Sequence, residues 1–295
     1  MRKVSLKKRG GNRVSRLTAI VSGKGGVGKS TLTAALGITL ARAGKRVLLI
    51  DGDLGLCNLD IILGVSDKVK HHIYELAQGS CFLEEAIISV SDNLDFIAGT
   101  VEQTWDYVFE GAIDTVLEDL GEIYDYILLD CPAGIGRGIE YVKQHADDVI
   151  LIQLPTKTSQ RDALHTREIL RNHIPIWVLL NEFTYNNQES LEAVLAQIDR
   201  EKLLGVVPYS EKISLLSNQG NFINESYWGV LTEAIHIIAK NYIDFKVYPN
   251  STWIQLLKSA EEEIPLKVDE QTKKREKEKQ TLLSRMVYKW GRRRW

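Results

Sequence analysis

Cysteine is scarce in this chain: Cys57, Cys81 and Cys131 are all it has among 295 residues, and none sits in a C-x-x-C pair. An odd, scattered set argues against a disulfide framework or a zinc site. A reducing, cytoplasmic setting is the expectation. No apolar run approaches the ~18 residues of a membrane span. The first residues, MRKVSLKKRGGNRVSR, are basic but carry no apolar core, so they do not read as a signal peptide. The formal net charge of -2 excludes a wholly basic surface, although not a local basic patch. No internal repeat is visible, and the last stretch, TLLSRMVYKWGRRRW, has no acid at all.

What is present is alternation. RLTAIVSG, KRVLLIDGD, LDFIAG, YDYILLDCP, DDVILIQLP, PIWVLLNEF and LLGVVPY are short, nearly continuous apolar runs. Helical patterns fall between most of them, such as KSTLTAALGITLARA, which ends at Gly44, a glycine suited to a C-cap. Buried strands separated by helices predict a doubly wound, mainly parallel α/β sheet covered on both faces, a three-layer α/β/α arrangement. The expected organisation is a basic arm at 1–16, a nucleotide-binding domain at 17–248, a charged linker at 249–280 and a basic, apolar tip at 281–295.

The strongest motif is SGKGGVGKST, Ser22 to Thr31. G-x-x-x-x-G-K-[ST] is met by Gly23, Gly28, Lys29 and Ser30, between a predicted strand and a predicted helix. Glycines let backbone N–H groups close around phosphate oxygens, and the helix N-terminus faces the same anion. Gly25, Gly26, Val27, Gly28, Lys29, Ser30 and Thr31 are therefore expected to hold nucleotide phosphates, Lys29 at the β/γ-phosphates and Ser30 on Mg²⁺. A second lysine, Lys24, follows the first glycine. The nucleotide in the same loop is already served by Lys29, so Lys24 is free to reach a second subunit.

The nonamer GKGGVGKST resembles the deviant Walker A ATPases, the MinD/ParA superfamily, a SIMIBI-type group of P-loop NTPases. That resemblance covers roughly Leu17 to Tyr242 and implies a Mg²⁺-dependent ATPase that forms an ATP-sandwich homodimer, with Lys24 acting on the partner's phosphates. In DGDLGLCNLDIILG it implies that Asp53 orients the attacking water and that Asp51 lies near the Mg²⁺ shell. In ILLDCPAGIGRG it places Asp130 on the metal, with the Gly134 amide sensing the γ-phosphate. Asn181, at the end of IWVLLN, falls at the adenine-recognising position, and Pro208 lies in the similar segment LLGVVPYSEKISLLSNQG with Ser217 and Asn218. QGSCFLEEAII favours the MinD branch. Two places depart from the pattern: Thr156 and Lys157 stand where a glutamate is expected after Pro155, and Glu182 stands where arginine is common.

The tip is amphipathic. At about 100° per residue, Leu282, Leu283, Met286, Val287 and Trp290 share one face, and Arg285, Lys289 and Arg292 gather opposite. Such a helix suits an anionic membrane surface, and MinD proteins carry a membrane-targeting helix there. The same residues are compatible with a helix packed on the core or a phosphate-attracting tail. The expected activity is thus an ATP-dependent, membrane-associating ATPase that positions a cellular structure, foremost the division septum, with an activating protein and an effector as partners. Flagellar placement of FlhG type and DNA partition of ParA type, with DNA bound by the basic ends, are the alternatives.

Overall fold

The computed structural model describes residues 15–102, 110–184, 188–196, 198, 202–245 and 248–262. The arm residues 1–14 and the tip, including Leu282, Leu283, Met286, Val287 and Trp290, lie outside them.

The strands are β1 (Arg16–Val21), β2 (Val47–Asp51), β3 (Ile87–Ser91), β4 (Leu94–Ile97), β5 (Tyr126–Asp130), β6 (Asp148–Gln153), β7 (Ile176–Phe183) and β8 (Lys202–Pro208). The helices are α1 (Lys29–Arg42), α2 (Leu59–Leu63), α3 (Ile73–Ala77), α4 (Leu83–Ala86), α5 (Glu110–Gly121), α6 (Arg137–His145), α7 (Lys157–Leu170), α8 (Gln188–Leu195), α9 (Glu211–Asn218), α10 (Val230–Asp244) and α11 (Asn250–Glu262). The strands form one sheet in the order β3-β4-β2-β5-β1-β6-β7-β8. Every pairing is parallel except β3 with β4.

The doubly wound expectation therefore holds, and the physical reason is visible in β2 and β6. Every residue of VLLID and DVILIQ is buried, as a strand covered on both faces requires. Helix α1 is buried on almost all sides, which suits its Ala/Leu/Thr composition and a position against the sheet centre. The antiparallel edge strand β3 is an addition to the expected set.

Two boundaries differ from expectation. Ser15 is buried and Arg16 opens β1, so the body begins inside the expected arm. The expected linker from 249 is corrected at its start. Residues 250–262 form α11, with Trp253, Leu256 and Leu257 buried. Trp253 covers Gly205 of β8, where an added Cβ would stand 2.8 Å from its ring. Apolar residues at i, i+3 and i+4 supply the stripe that holds this helix down. The first compact unit accordingly runs to Ala260.

At the end of the sheet away from the strand C-termini, Arg16 is ion-paired with Asp148 and lies 4.4 Å over the rings of both Tyr242 and Phe245. Asp148 also accepts from Thr18 Oγ1 at 2.6 Å and Trp177 Nε1 at 2.9 Å. A buried carboxylate is tolerated here because several donors replace its water. Elsewhere, α2 and α9 are joined through glycine backbone. A Cβ on Gly64 would lie 2.3 Å from the Gly220 carbonyl oxygen, and both residues have positive φ, +67 and +65.

Candidate functional site

The loop between β1 and α1 is built around glycine. Gly28, the N-cap of α1, has φ +87, and an added Cβ there would stand 2.6 Å from Asn181 Nδ2. A Cβ on Gly23 would meet the Asp162 carbonyl oxygen at 2.4 Å. The loop can thus bear side chains at neither position, and its amides are left facing outward from the helix start. Ser22 Oγ donates to the Lys24 carbonyl at 2.8 Å, closing the turn from below.

The two lysines have opposite surroundings. Lys29 is 6% exposed, and its Nζ lies 3.8 Å from Asp53 Oδ2. Lys24 is exposed, with no partner among the described residues. The chain therefore carries one cation aimed into its own site and one held outward.

Three aspartates meet behind the loop. Asp51 and Asp130 are register partners at the ends of adjacent strands, and both are buried. Asp51 accepts from the backbone N–H of Asp53 and of Leu59, both at 3.1 Å, which fastens the segment leading into α2. Burial raises the Asp51 carboxyl, opposed by those two hydrogen bonds. Burial also raises Asp130, reinforced by the Asp51 charge and opposed by Lys29. Neither oxygen of Asp130 has a hydrogen-bond partner among the described residues. Asp53 is raised by burial and pulled back by Lys29.

Two buried, unsatisfied carboxylate oxygens beside Ser30 are a poor arrangement without a cation, and oxygen-only donors suit Mg²⁺. Among the described residues, no group of three or more His, Cys, Asp or Glu could hold a metal alone. A magnesium ion shared with nucleotide phosphates fits that donor set, whereas a self-sufficient protein cage does not.

A cavity of about 450 Å³ opens at the carboxyl ends of the strands, where ligands bind in sheets of this kind. Of the expected nucleotide residues it is lined by Gly25, Gly26, Gly28, Lys29, Ser30, Thr31, Asp53, Asn181 and Pro208. Lys24, Val27, Asp51, Asp130 and Gly134 do not line it. Val27 is buried, and its carbonyl accepts from Asn181 Nδ2 at 2.8 Å, so this asparagine clamps the phosphate loop from β7. The Gly134 amide donates to the Ser22 carbonyl at 2.9 Å. The expected sequence motifs missed the wall formed by Leu56, Ile61 and Ile62 of the α2 segment and by Tyr209 and Ile213 near α9. Ser217 and Asn218, which the motif did indicate, are part of that wall. The apolar side of short α2 was the available signal. Its facing position against α9 exists only in the folded chain.

Residues 18–223 match the model of the CobQ/CobB/MinD/ParA nucleotide binding domain. The chain is 32% identical over 216 residues to the septum site-determining protein MinD of Synechocystis sp., covering 70% of this chain and 81% of that protein. Its fold is similar to MinD in the MinC:MinD cell division protein complex of Aquifex aeolicus, with TM-score 0.70 and 29% identity over 80% of this chain and 98% of that one. It is also similar to MinD complexed with Mg-ADP from Pyrococcus horikoshii, with TM-score 0.67 and 29% identity over 77% of this chain and 96% of that one. With a phosphate loop at the end of β1, paired acids on neighbouring strands and a match across most of its length, the chain belongs to the MinD/ParA family of P-loop ATPases.

Proposed function

We propose that this protein is a septum site-determining ATPase of MinD type, which binds Mg·ATP in the 450 Å³ cavity and dimerises through the bound nucleotide. The observation that carries this is the pair of lysines, Lys29 buried against Asp53 and Lys24 exposed and unpaired. Without nucleotide, the Lys29 ammonium is balanced by Asp53. A triphosphate is the stronger partner, and it draws Lys29 to the β/γ-phosphates. Asp53 is then released to orient the attacking water and accept its proton. Lys24 has no such competitor and serves the phosphates of a second subunit.

Ser30 and Asp130 would hold Mg²⁺, with Asp51 behind them, and the ion would neutralise charge developing on the transferred phosphoryl group. Gly134 exchanges its bond to Ser22 for the γ-phosphate. The relatives support a placement task at the division septum, and the MinC:MinD complex of Aquifex aeolicus supports an effector protein as partner. Among the described residues no helix is long and apolar enough to cross a membrane. Membrane attachment would therefore fall to the amphipathic residues Leu282, Leu283, Met286, Val287 and Trp290 of the tip. The test is co-sedimentation with anionic liposomes and, separately, with DNA, each with ATP and with ADP. Sedimentation with liposomes in ATP alone is expected. ATP-dependent capture by DNA and not by lipid would overturn the membrane assignment.

A further inference from the structure

The cavity has a wall that the phosphate chemistry does not use. In the sheet order β1-β6-β7-β8, the acids stand on one side of β1 and β7 stands two strands away on the other. Strands are spaced at about 4.8 Å, so β7 runs roughly 10 Å from β1. Its Asn181 side chain reaches the phosphate loop at the Val27 carbonyl, and the next residue, Glu182, lines the cavity. There β7 is interrupted. Its register with β8 shifts between Leu180 and Phe183, and Glu182 has φ +58. A non-glycine residue held in that region is uncommon and costs of order 1 kcal/mol or more, and such residues cluster at ligand sites. At this cavity wall, no hydrogen-bond or charge partner acts on the Glu182 carboxylate among the described residues. The residue is exposed on the strand, and partial desolvation at the cavity wall raises its carboxyl. Beside it Tyr209, 51% exposed, also lines the cavity, and its N–H is fixed to the Phe183 carbonyl at 3.0 Å. Asn181 next door has its amide nitrogen engaged by Val27. What this wall offers a ligand is therefore an aromatic face and hydrogen-bond acceptors.

We propose that Tyr209 and Glu182 read the base of the bound nucleotide: the ring stacks on a purine, and the carboxylate accepts a hydrogen bond from its exocyclic 6-amino group. A carboxylate selects for that amine because it cannot donate to a 6-oxo group. The inference rests on the cavity being the ATP site, and it adds two specificity-determining residues to that site.

The test is calorimetric binding of ATP, purine riboside triphosphate and inosine triphosphate to the full chain with Mg²⁺. Purine riboside triphosphate lacks the amine, and inosine triphosphate carries oxygen in its place. The wild type is expected to favour ATP over both by about tenfold or more, the equivalent of one hydrogen bond to a charged group. Glu182→Gly suits the positive φ, so it preserves the fold while removing the carboxylate. It is expected to bring the ATP to purine riboside ratio close to one. Tyr209→Ala is expected to weaken all three ligands by similar factors of about tenfold. If Glu182→Gly binds ATP and keeps the wild-type ratio, base reading by Glu182 is overturned and the ATP site stands. If Tyr209→Ala leaves all affinities unchanged, the stacking role is overturned. If the wild type binds none of the three, the ATP site itself is overturned, and this inference with it.

Discussion

Lys29 shares one buried neighbourhood with Asp51, Asp53 and Asp130, and a single cation cannot balance three carboxylates. Burial raises both Asp51 and Asp130 above the ordinary 3.8, with the Asp53 charge adding to Asp51 and the Asp51 charge adding to Asp130. The unfolded chain therefore loses these protons at lower pH than the folded one. The stability these groups contribute is complete below 3.8 and is lost as pH rises through the two raised values. Asp130→Asn is expected to flatten that slope. It should also raise the melting temperature of the nucleotide-free protein at mildly alkaline pH, at about 2–4 °C per kcal/mol recovered. The same variant should lose the strengthening of ATP binding by Mg²⁺. Thermal scans across pH and binding titrations with and without Mg²⁺ check both halves. Lys29→Ala leaves the phosphates to backbone dipoles alone, so ATP affinity should fall by at least about tenfold to a hundredfold, or ~1.4–2.8 kcal/mol. Unchanged affinity in a titration would exclude the loop as the nucleotide site.

Among the elements, α11 is one whose position the sequence disguised. Its residues NSTWIQLLKSAEE run into a long charged stretch, and composition alone joined the two. Trp253, Leu256 and Leu257 form a stripe that becomes meaningful only once β8 offers a glycine for the indole to cover. Trp253→Ala is expected to cost about 3–5 kcal/mol, since it empties a fully buried volume. Urea unfolding should report that loss while ATP affinity in the folded protein stays near wild type. The central strands and α1 were legible because doubly covered strands and an all-round buried helix have unmistakable composition. Strand β3 was not, because IISVS carries only two buried positions and pairs antiparallel at the edge. In the site, the glycines, Lys29 and Ser30 could be read from spacing, and Lys24 and the strand-end aspartates from the family resemblance. The positive φ of Glu182, the Asn181 clamp on Val27 and the wall through Tyr209 could not, since each depends on chain segments that meet only in three dimensions.

For the whole molecule, the expectation is that two copies act together. Lys24→Ala should keep ATP binding near wild type, because that side chain does not line the cavity of its own subunit. It should lose ATP-dependent dimerisation and hydrolysis, read by ultracentrifugation and phosphate release. A Lys24→Ala protein that dimerises normally with a slowly hydrolysed ATP analogue would refute the action in trans. Removing 281–295 should leave dimerisation intact and abolish ATP-dependent liposome sedimentation, because a short amphipathic helix binds well only when doubled. The glycine contact between α2 and α9 has its consequence at this scale. At Gly64 and Gly220 the segments that end α2 and follow α9 meet backbone against backbone, with no room for a Cβ between them. Helix α2 carries Ile61 and Ile62, just beyond Asp53, and α9 carries Ile213 and Ser217. The separation of these jaws is thus set like a fixed caliper. A nucleotide that shifts one jaw is then expected to carry the other along.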